Sequence, residues 1–225
     1  MIKKIFKITV ICCVLVFAFG NIMSVSAKEN TDVDKELDEK SLMFENLIYF
    51  VINTKNENPK MSEDEIIKII SDDLTKQKID NRGILDIWNA LTDSEKKLVV
   101  RYPFDALKVN NAKNIATDQT EKKFGYNGLG DRSDAFRHGI WNAEMTILIG
   151  AEKAELFATA HEDKDTSGVE SDGHTKLEHK NMDLHNNSVG RRIGQENPKL
   201  SEDEMADYIY QMIYQVDSEF IWLND

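Results

Sequence analysis

Three histidines of this chain lie in segments whose apolar residues repeat with helical spacing. They are His138 in DAFRHGIWNAEM, His161 in FATAHED and His185 in MDLHNNSVGR. At about 100° per residue, each histidine falls on the inward side of its own helix. Because an unpartnered imidazole is costly inside a protein, we expect the three side chains to converge on one another.

The first of these helices has two faces that are both suited to burial. Phe136 and Ile140 belong to an apolar stripe, whereas Asp134, His138 and Asn142 form a polar row on nearly the opposite side. Trp141 and Met145 border that row, which is unusual for a solvent-facing surface. The pattern therefore predicts a helix buried on both sides, with its polar row turned towards an internal cleft.

Carboxylates accompany the histidines at short spacing, which is typical of a site for zinc or another divalent metal. In this interpretation Glu162 is the general base acting on a bound water. The residues predicted to ligate the metal are Asp134, His138, His161, Asp183 and His185.

Two other interpretations fit the same residues. In a metal-free hydrolase, a His/Asp pair is general base and orienting group, a second histidine is the acid, and Asn142 or Asn186 binds an oxyanion. Alternatively, the residues form a buried hydrogen-bond network that only sets the helix register. Arg137 and Arg191 are candidates for neutralising an anionic substrate, although single arginines more often form surface ion pairs.

The remaining pattern is helical almost throughout. Ser62 with Glu65 and Thr92 with Glu95 form capping boxes, and Ser201 caps a last helix predicted to run towards Trp222. Further helices are predicted at 132–149, 151–162 and 182–194. We predict an all-α fold: a single helical-bundle-like domain at 85–225, preceded by an N-terminal helical extension at 28–84.

Two polar stretches are predicted to be connections. Residues 108–130 contain the glycine-bearing GYNGLG, whose backbone N–H groups would suit an anion. Residues 163–181 link two site-bearing helices and would suit a lid, with His174 and His179 exposed to solvent.

The N-terminus is typical of a secretory signal peptide. A basic segment, MIKKIFK, precedes the apolar ITVICCVLVFAFG, and Val25 and Ala27 suit a cleavage site, so residues 1–27 are predicted to be removed. Both cysteines lie in that segment, so the exported chain, Lys28–Asp225, would fold without disulfides. We expect a secreted protein with no stable membrane span after cleavage.

The formal net charge is −12, and the mature part has no long basic run. Nucleic acid is therefore an unlikely partner, because phosphate backbones repel an acidic chain.

Several motifs together resemble an uncharacterised bacterial domain. They are D-A-F-R-H-x-x-W-N-A, A-H-E and M-D-L-H-N-N, and the resemblance covers roughly Leu85–Gly194. That domain occurs in small secreted proteins and at the ends of long toxin-like and wall-associated proteins. The resemblance implies a mostly helical, exported domain and no particular activity. The site it implies contains Asp134, Arg137, His138, Trp141, Asn142, His161, Glu162, Asp183, His185, Asn186 and Asn187. The domain has a residue such as alanine at the position of Gly139. This difference is small and changes none of the expectations above.

The function expected from these observations is a metal-dependent hydrolase acting on an extracellular phosphoester, ester or amide. Its substrate would be a small molecule or a component of the cell envelope. The alternatives are a metal-free His/Asp hydrolase and a non-catalytic secreted module that binds a partner through the same cleft.

Overall fold

A computed structural model describes residues 32–76 and 82–224, and this part of the chain is α-helical without a β-strand. The all-α prediction is thereby confirmed. The predicted signal peptide, residues 1–27, lies outside the described residues. The helices are α1 (Asp32–Glu57), α2 (Glu63–Lys76), α3 (Arg82–Ala90), α4 (Asp93–Arg101), α5 (Pro103–Phe124), α6 (Arg132–Ile149), α7 (Ala151–His161), α8 (Lys176–Glu196) and α9 (Glu202–Ile213).

Helix α6 is the centre of the fold, and it packs against α5, α7, α8 and α9. From Ser133 to Thr146 its side chains are buried, except that of Arg137. The helix is thus enclosed on both its apolar and its polar face, as the sequence predicted. Because buried polar groups need partners, the neighbouring helices must supply them.

Glycines let α8 approach α6 closely. A Cβ on Gly190 would meet the carbonyl oxygen of Gly139, and one on Gly194 would lie 2.6 Å from the carbonyl oxygen of Ala143. The atoms that a Cβ would meet are backbone atoms of α6, which cannot move aside as a flexible side chain could. The four-residue spacing of the two glycines therefore sets the contact between the two helices that carry the candidate site.

Helix α5 occupies most of a stretch that was predicted to be a connection, so the prediction for 108–130 was wrong. Pro103 begins this helix, Gly125 ends it with φ 79°, and the small residues Ala112 and Ala116 face the core. A face made of such small residues has little apolar volume. In the sequence, the polar residues around these alanines hide their helical spacing. Only the loop 125–131 remains as a connection to α6.

Two further helix boundaries differ from the prediction. Helix α8 begins at Lys176 rather than near residue 182, because Thr175 and Glu178 form a capping box. Helix α9 ends at Ile213, well before Trp222. After it the chain turns back, and Phe220 is buried against Gly139, where a Cβ would lie 2.6 Å from its ring. Gly139 therefore makes room for Phe220, a role that the sequence did not indicate.

The N-terminal layer, defined as α1, α2 and α3, packs against α4 and α5. The predicted capping box at Thr92 is present, and Ser62 and Glu65 exchange the same pair of hydrogen bonds. Ser201 caps α9 as predicted, and it does so through a capping box with Glu204. Among the helices in residues 32–76 and 82–224, none combines the length and the apolar character needed to cross a membrane.

Candidate metal and catalytic site

Asp134 begins the site in the first turn of α6. The N-cap residue, Asp131, accepts a hydrogen bond from the Asp134 amide, so the start of the helix is well defined. The two carboxylate oxygens of Asp134 are held separately: Oδ2 accepts from the Gly130 amide at 2.7 Å, and Oδ1 accepts from Arg137. The carboxylate is therefore oriented before any ligand binds.

His138 lies one turn along the same face, and a chain of hydrogen bonds sets its tautomer. Arg191, which can only donate, bonds Asn142 Oδ1 at 3.2 Å, so the Asn142 amide nitrogen faces Asn187 Oδ1 at 2.6 Å. The same Asn187 oxygen lies 3.0 Å from His138 Nδ1. Because that oxygen accepts, Nδ1 carries the proton, and the neutral ring presents a lone pair at Nε2.

Asp183 of α8 faces that lone pair. His138 Nε2 lies 3.2 Å from Asp183 Oδ1 and 3.5 Å from Asp134 Oδ1. We call Asp134, His138 and Asp183 the His138 cluster. One donor atom from each residue lies within 4.8 Å of the other two. Two atoms that share a tetrahedral zinc ion at about 2.1 Å are about 3.4 Å apart, so these separations suit a common cation.

Glu162 is a further buried carboxylate beside the cluster. It follows directly after α7, is 5% exposed, and interacts electrostatically with Asp134 and Asp183. Its Oε1 is buried without a hydrogen-bond partner. Burial raises the pKa of Glu162, although the nearby His161 and Lys164 oppose the shift.

The electrostatics of the cluster favour an added positive charge. Burial, together with Asp134 and Glu162, raises the pKa of Asp183 to about 8. Burial also raises the pKa of Asp134, and burial and Arg137 hold the pKa of His138 well below its usual value. Neutral imidazole and crowded carboxylates are stabilised by protons on the carboxyl groups or by a metal cation between them.

Buried polar atoms without a hydrogen-bond partner concentrate around this cluster. Among the described residues there are seven such side-chain atoms, and all but Glu144 Oε1 belong to residues in or beside it. The six are Arg137 Nε, Trp141 Nε1, Glu162 Oε1, His179 Nδ1, Asp183 Oδ1 and Asn187 Nδ2. Each such atom costs on the order of 1–3 kcal/mol when it stays unpaired, so their grouping indicates a place for a ligand.

The three histidines do not converge, contrary to the prediction. His185 is exposed and donates from Nε2 to the Glu219 carbonyl at 2.7 Å, because the actual course of α8 turns it to the outer side. His161 is a third exposed; its Nδ1 lies 2.9 Å from Glu95 Oε1 and its Nε2 lies 3.1 Å from Lys164 Nζ. Both ring nitrogens of His161 are thus engaged outside the cluster.

The two asparagines proposed as oxyanion donors are already occupied. Asn186 exchanges two hydrogen bonds with the backbone of Ile221, at 3.0 and 2.8 Å, and so holds the C-terminal segment. Asn142 donates to the His138 carbonyl as well as to Asn187. Asn142 therefore has no donor left for an oxyanion, and Asn186 is bound to the C-terminal segment, because folding brings backbone groups that the sequence could not place.

His179 was predicted to be exposed and is instead 6% exposed. Since α8 starts earlier than expected, the residue lies on its inner face, with Nε2 3.0 Å from Asp172 Oδ2. Asn224 also donates to that oxygen, at 2.9 Å, and its backbone amide bonds Gly130. His174, by contrast, is about a third exposed. The Thr-x-x-Glu pattern at 175–178 was the signal that would have placed His179 on a helix.

A separate groove lies between α2 and α4 and contains none of these residues. It has a volume of about 580 Å³ and is lined by charged side chains, including Glu63 and Arg101. These two form an ion pair at 2.6 Å, so the groove lacks the unpartnered groups found at the His138 cluster.

Comparison with known proteins identifies one family. A family model described as a domain of unknown function (DUF6973) matches residues 96–217, which include the whole His138 cluster, Glu162 and Asn187. This match is consistent with the uncharacterised domain that the sequence resembles. Comparisons with curated proteins and with solved structures gave no match.

Proposed function

The chain belongs to the DUF6973 family, and we propose that its His138 cluster binds a divalent metal ion and hydrolyses an extracellular phosphoester, ester or amide. The observation that carries the proposal is the unprotonated Nε2 of His138, which faces two carboxylates at 3.2 and 3.5 Å. The tautomer leaves the imidazole lone pair facing the two carboxyl groups, and either a carboxyl proton or a metal ion can lie between them. We assign a metal ion, because buried polar atoms without a partner concentrate around the same three residues.

The surrounding contacts support the same proposal. Metal-ligating histidines commonly donate their other ring N–H to an oxygen that fixes the ring, and Asn187 Oδ1 has that position here. Three protein ligands of mixed nitrogen and oxygen type leave positions open for water and substrate, as catalytic zinc sites do. Zinc is the first candidate, because it accepts both imidazole and carboxylate.

Glu162 is the proposed general base. A bound cation would lower the pKa of a water molecule and polarise the substrate. Glu162 Oε1 has no protein partner and lies in a buried place next to the two ligating carboxylates, so it is available to accept a proton. The pKa of Glu162 is raised towards neutral pH, which suits a group that must both take up and release protons.

Metal binding is tested by elemental analysis and calorimetry on protein purified without chelator. The wild type should hold one zinc per chain, and His138→Ala should hold none, because its removal leaves only two carboxylates. His185→Ala is the matched control, since His185 is an exposed histidine on the ligand-bearing helix α8. Equal zinc content in all three proteins would refute the assignment of the His138 cluster.

Catalysis is tested separately with a panel of chromogenic phosphoesters, carboxylic esters and amides. Glu162→Gln should retain zinc and lose about 10²-fold or more in kcat, as removal of a general base does. Glu152→Gln, at an exposed residue of the same helix α7, is the control for a charge change nearby. Zinc binding without turnover of any panel member would favour the non-catalytic binding module.

Secretion is part of the proposal, and it rests on the basic and apolar segments of residues 1–27. Mass spectrometry of culture supernatant should find an N-terminus at or near Lys28. Recovery of the chain with Met1 intact, and only in the membrane fraction, would contradict secretion.

A further inference from the structure

We propose that the substrate carries a phosphoryl group, whose oxygens accept hydrogen bonds from Trp141 Nε1 and Arg137 Nε. This inference rests on the proposed function, because it identifies what binds beside the metal. It narrows the substrate to a phosphoester and gives Trp141 a binding role.

Trp141 presents an N–H group that has no partner in the protein. The residue is 8% exposed, and its Nε1 is buried. The indole ring makes edge-to-face contacts with His138, at 6.2 Å between centroids, and with His161, at 5.2 Å. With the ring packed in this position, its N–H has no acceptor in the protein. A buried tryptophan N–H ordinarily finds one, so its acceptor here is expected to come from a ligand.

Arg137 offers a second donor next to the first. Its terminal nitrogen bonds Asp134, while its Nε is buried without a partner. Because the guanidinium is planar and its donors are fixed relative to one another, the contact with Asp134 also sets the direction of the Nε–H group. Arginine is the side chain best suited to bind a phosphate oxygen in this manner.

The two donors flank the proposed ligands on one face of α6. Asp134, Arg137, His138 and Trp141 have the spacing i, i+3, i+4 and i+7, which places them along a single stripe of a helix. A substrate group bound at the His138 cluster would therefore lie alongside both N–H groups. Asn187 Nδ2, on α8, is a third buried donor without a partner.

With a cation bound at the cluster, the nearby basic side chains would also favour an anion. The chain as a whole is acidic, with a net charge of −12, yet Arg137, Lys164 and Lys180 all act on the carboxylates of this site. Lys164 is exposed, with Nζ 3.1 Å from His161 Nε2, so it lies at the rim rather than inside. Basic groups at the rim of a cleft raise the local concentration of anionic substrate.

The number of acceptors needed distinguishes a phosphoryl group from a carbonyl. One carbonyl oxygen has two lone pairs, and coordination to a cation would use one of them. A phosphate monoester or diester has at least two non-bridging oxygens, so its phosphoryl group can bind the cation and accept from Trp141 and Arg137 together. The ester and amide alternatives would leave at least one buried donor unpaired.

The test is calorimetric binding of inorganic phosphate to the zinc-loaded protein, with acetate as the carboxylate probe. Trp141→Phe removes the N–H group and keeps a buried aromatic ring; it should weaken phosphate binding about tenfold or more with an unchanged zinc content. Trp222→Phe, a change of the same kind in the C-terminal segment, should leave phosphate binding unchanged. A weakening in Trp141→Phe alone would support the proposal.

The other outcomes separate this inference from the proposed function. Zinc binding with equal phosphate affinity in Trp141→Phe and Trp222→Phe would overturn the inference and leave the metal site intact. Acetate binding as tightly as phosphate would overturn the phosphoryl assignment. Absence of zinc, with phosphate binding that still depends on Trp141, would refute the metal site and support the anion site.

A second measurement uses the wild-type protein, so its outcome does not depend on whether a variant folds. The chain has three tryptophans, so the ¹⁵N-labelled protein should give three indole N–H signals. Phosphate should shift one of them strongly and slow its hydrogen exchange, because a new acceptor shields that N–H group. If none of the three signals moves at saturating phosphate, the inference fails.

Discussion

The N-terminal layer and the α6–α8 pair bury their polar groups in opposite ways. In the layer, Leu47, Ile48 and Ile70 form an apolar interior, and the buried Trp88 Nε1 donates to Ser71 Oγ at 2.9 Å. Between α6, α7 and α8, six buried side-chain atoms have no partner. Both regions are closely packed, and the difference agrees with the proposal that the α6–α8 pair binds a ligand, whereas the layer only stabilises the fold.

The two regions also differ in how closely the backbones approach. Helix α2 is amphipathic, with Ile66, Ile70 and Leu74 inside and its charged residues at the surface. Helices α6 and α8 meet through Gly190 and Gly194, with little side-chain volume between them. Substitutions should therefore act by cavity formation in the first region and by backbone clash or charge removal in the second.

The largest effect is expected in the N-terminal layer. Trp88→Ala removes a fully buried ring and the hydrogen bond that Ser71 Oγ accepts, so the free energy of unfolding should fall by about 3–5 kcal/mol. Urea unfolding followed by circular dichroism measures this change. Leu42→Ala, at a side chain 58% exposed on α1, is the control and should be nearly neutral. A loss below about 1 kcal/mol for Trp88→Ala would show that the layer contributes little to the cooperative unit.

The next effect concerns the contact between α6 and α8. Gly190→Ala places a Cβ against the Gly139 carbonyl, which cannot move without shifting α6, and should cost about 3 kcal/mol in the free energy of unfolding. Gly83→Ala is the matched helical control. Its Cβ would meet only the flexible end of Met43, so the cost should be much smaller. Equal effects of both substitutions would contradict a contact limited by backbone.

A pH-dependent effect is expected at Glu144, which among the described residues has the one buried carboxylate oxygen without a partner away from the His138 cluster. Burial, with a smaller contribution from Glu202, raises its pKa from 4.5 to about 7. As pH rises from 4.5 to 7 the unfolded chain ionises first, so the folded state loses stability over that window, by on the order of 2–3 kcal/mol. Below the window the penalty is absent, and above it the penalty is constant.

Glu144→Gln should therefore be more stable than the wild type at pH 8 and about equal to it at pH 4. Thermal unfolding across this range, with the exposed Glu152→Gln as control, makes the comparison. A wild-type profile that keeps its slope after the Glu144 substitution would assign the pH dependence to other groups.

The smallest effect has the opposite sign to the first two. In the presence of chelator, Asp183→Asn should stabilise the protein by about 1–2 kcal/mol, because it removes a buried carboxylate whose Oδ1 has no partner. With zinc the wild type should gain stability and the variant should not, since only the wild type would keep all three proposed ligands. Destabilisation by Asp183→Asn without metal would mean that Asp183 is structural, and the contrast between the two regions would fail.

Periodicity and capping were sufficient for most helices but not for all. Helix α6 was predicted at 132–149 and has these bounds, because its apolar stripe and its N-terminal polar residues agree. Helix α5 was missed, since its buried residues are three alanines, a glutamine and a threonine, which give weak apolar periodicity. The start of α8 was missed although Thr175 and Glu178 carried a capping box, because the surrounding residues are polar.

Only part of the candidate site could be predicted from the sequence, and helix geometry explains which part. Asp134 and His138 are one turn apart on a single helix, so local geometry alone brings them together. Asp183 joins them from α8, as predicted, but His185, two residues later, points away. Within a helix, two residues change the direction of a side chain by about 200°, so an aspartate and a histidine at that spacing cannot share one site.

The sequence by itself determined the helical class, the caps and the polar row of α6, because each depends on neighbours within a few residues. Only the tertiary structure decided which groups are partnered. Asn186 is occupied by the Ile221 backbone and His161 by Glu95, whereas Trp141 Nε1 has no partner. These pairings join residues far apart in the chain, and whether a buried polar group is free for a ligand depends on what folding brings within about 3 Å of it.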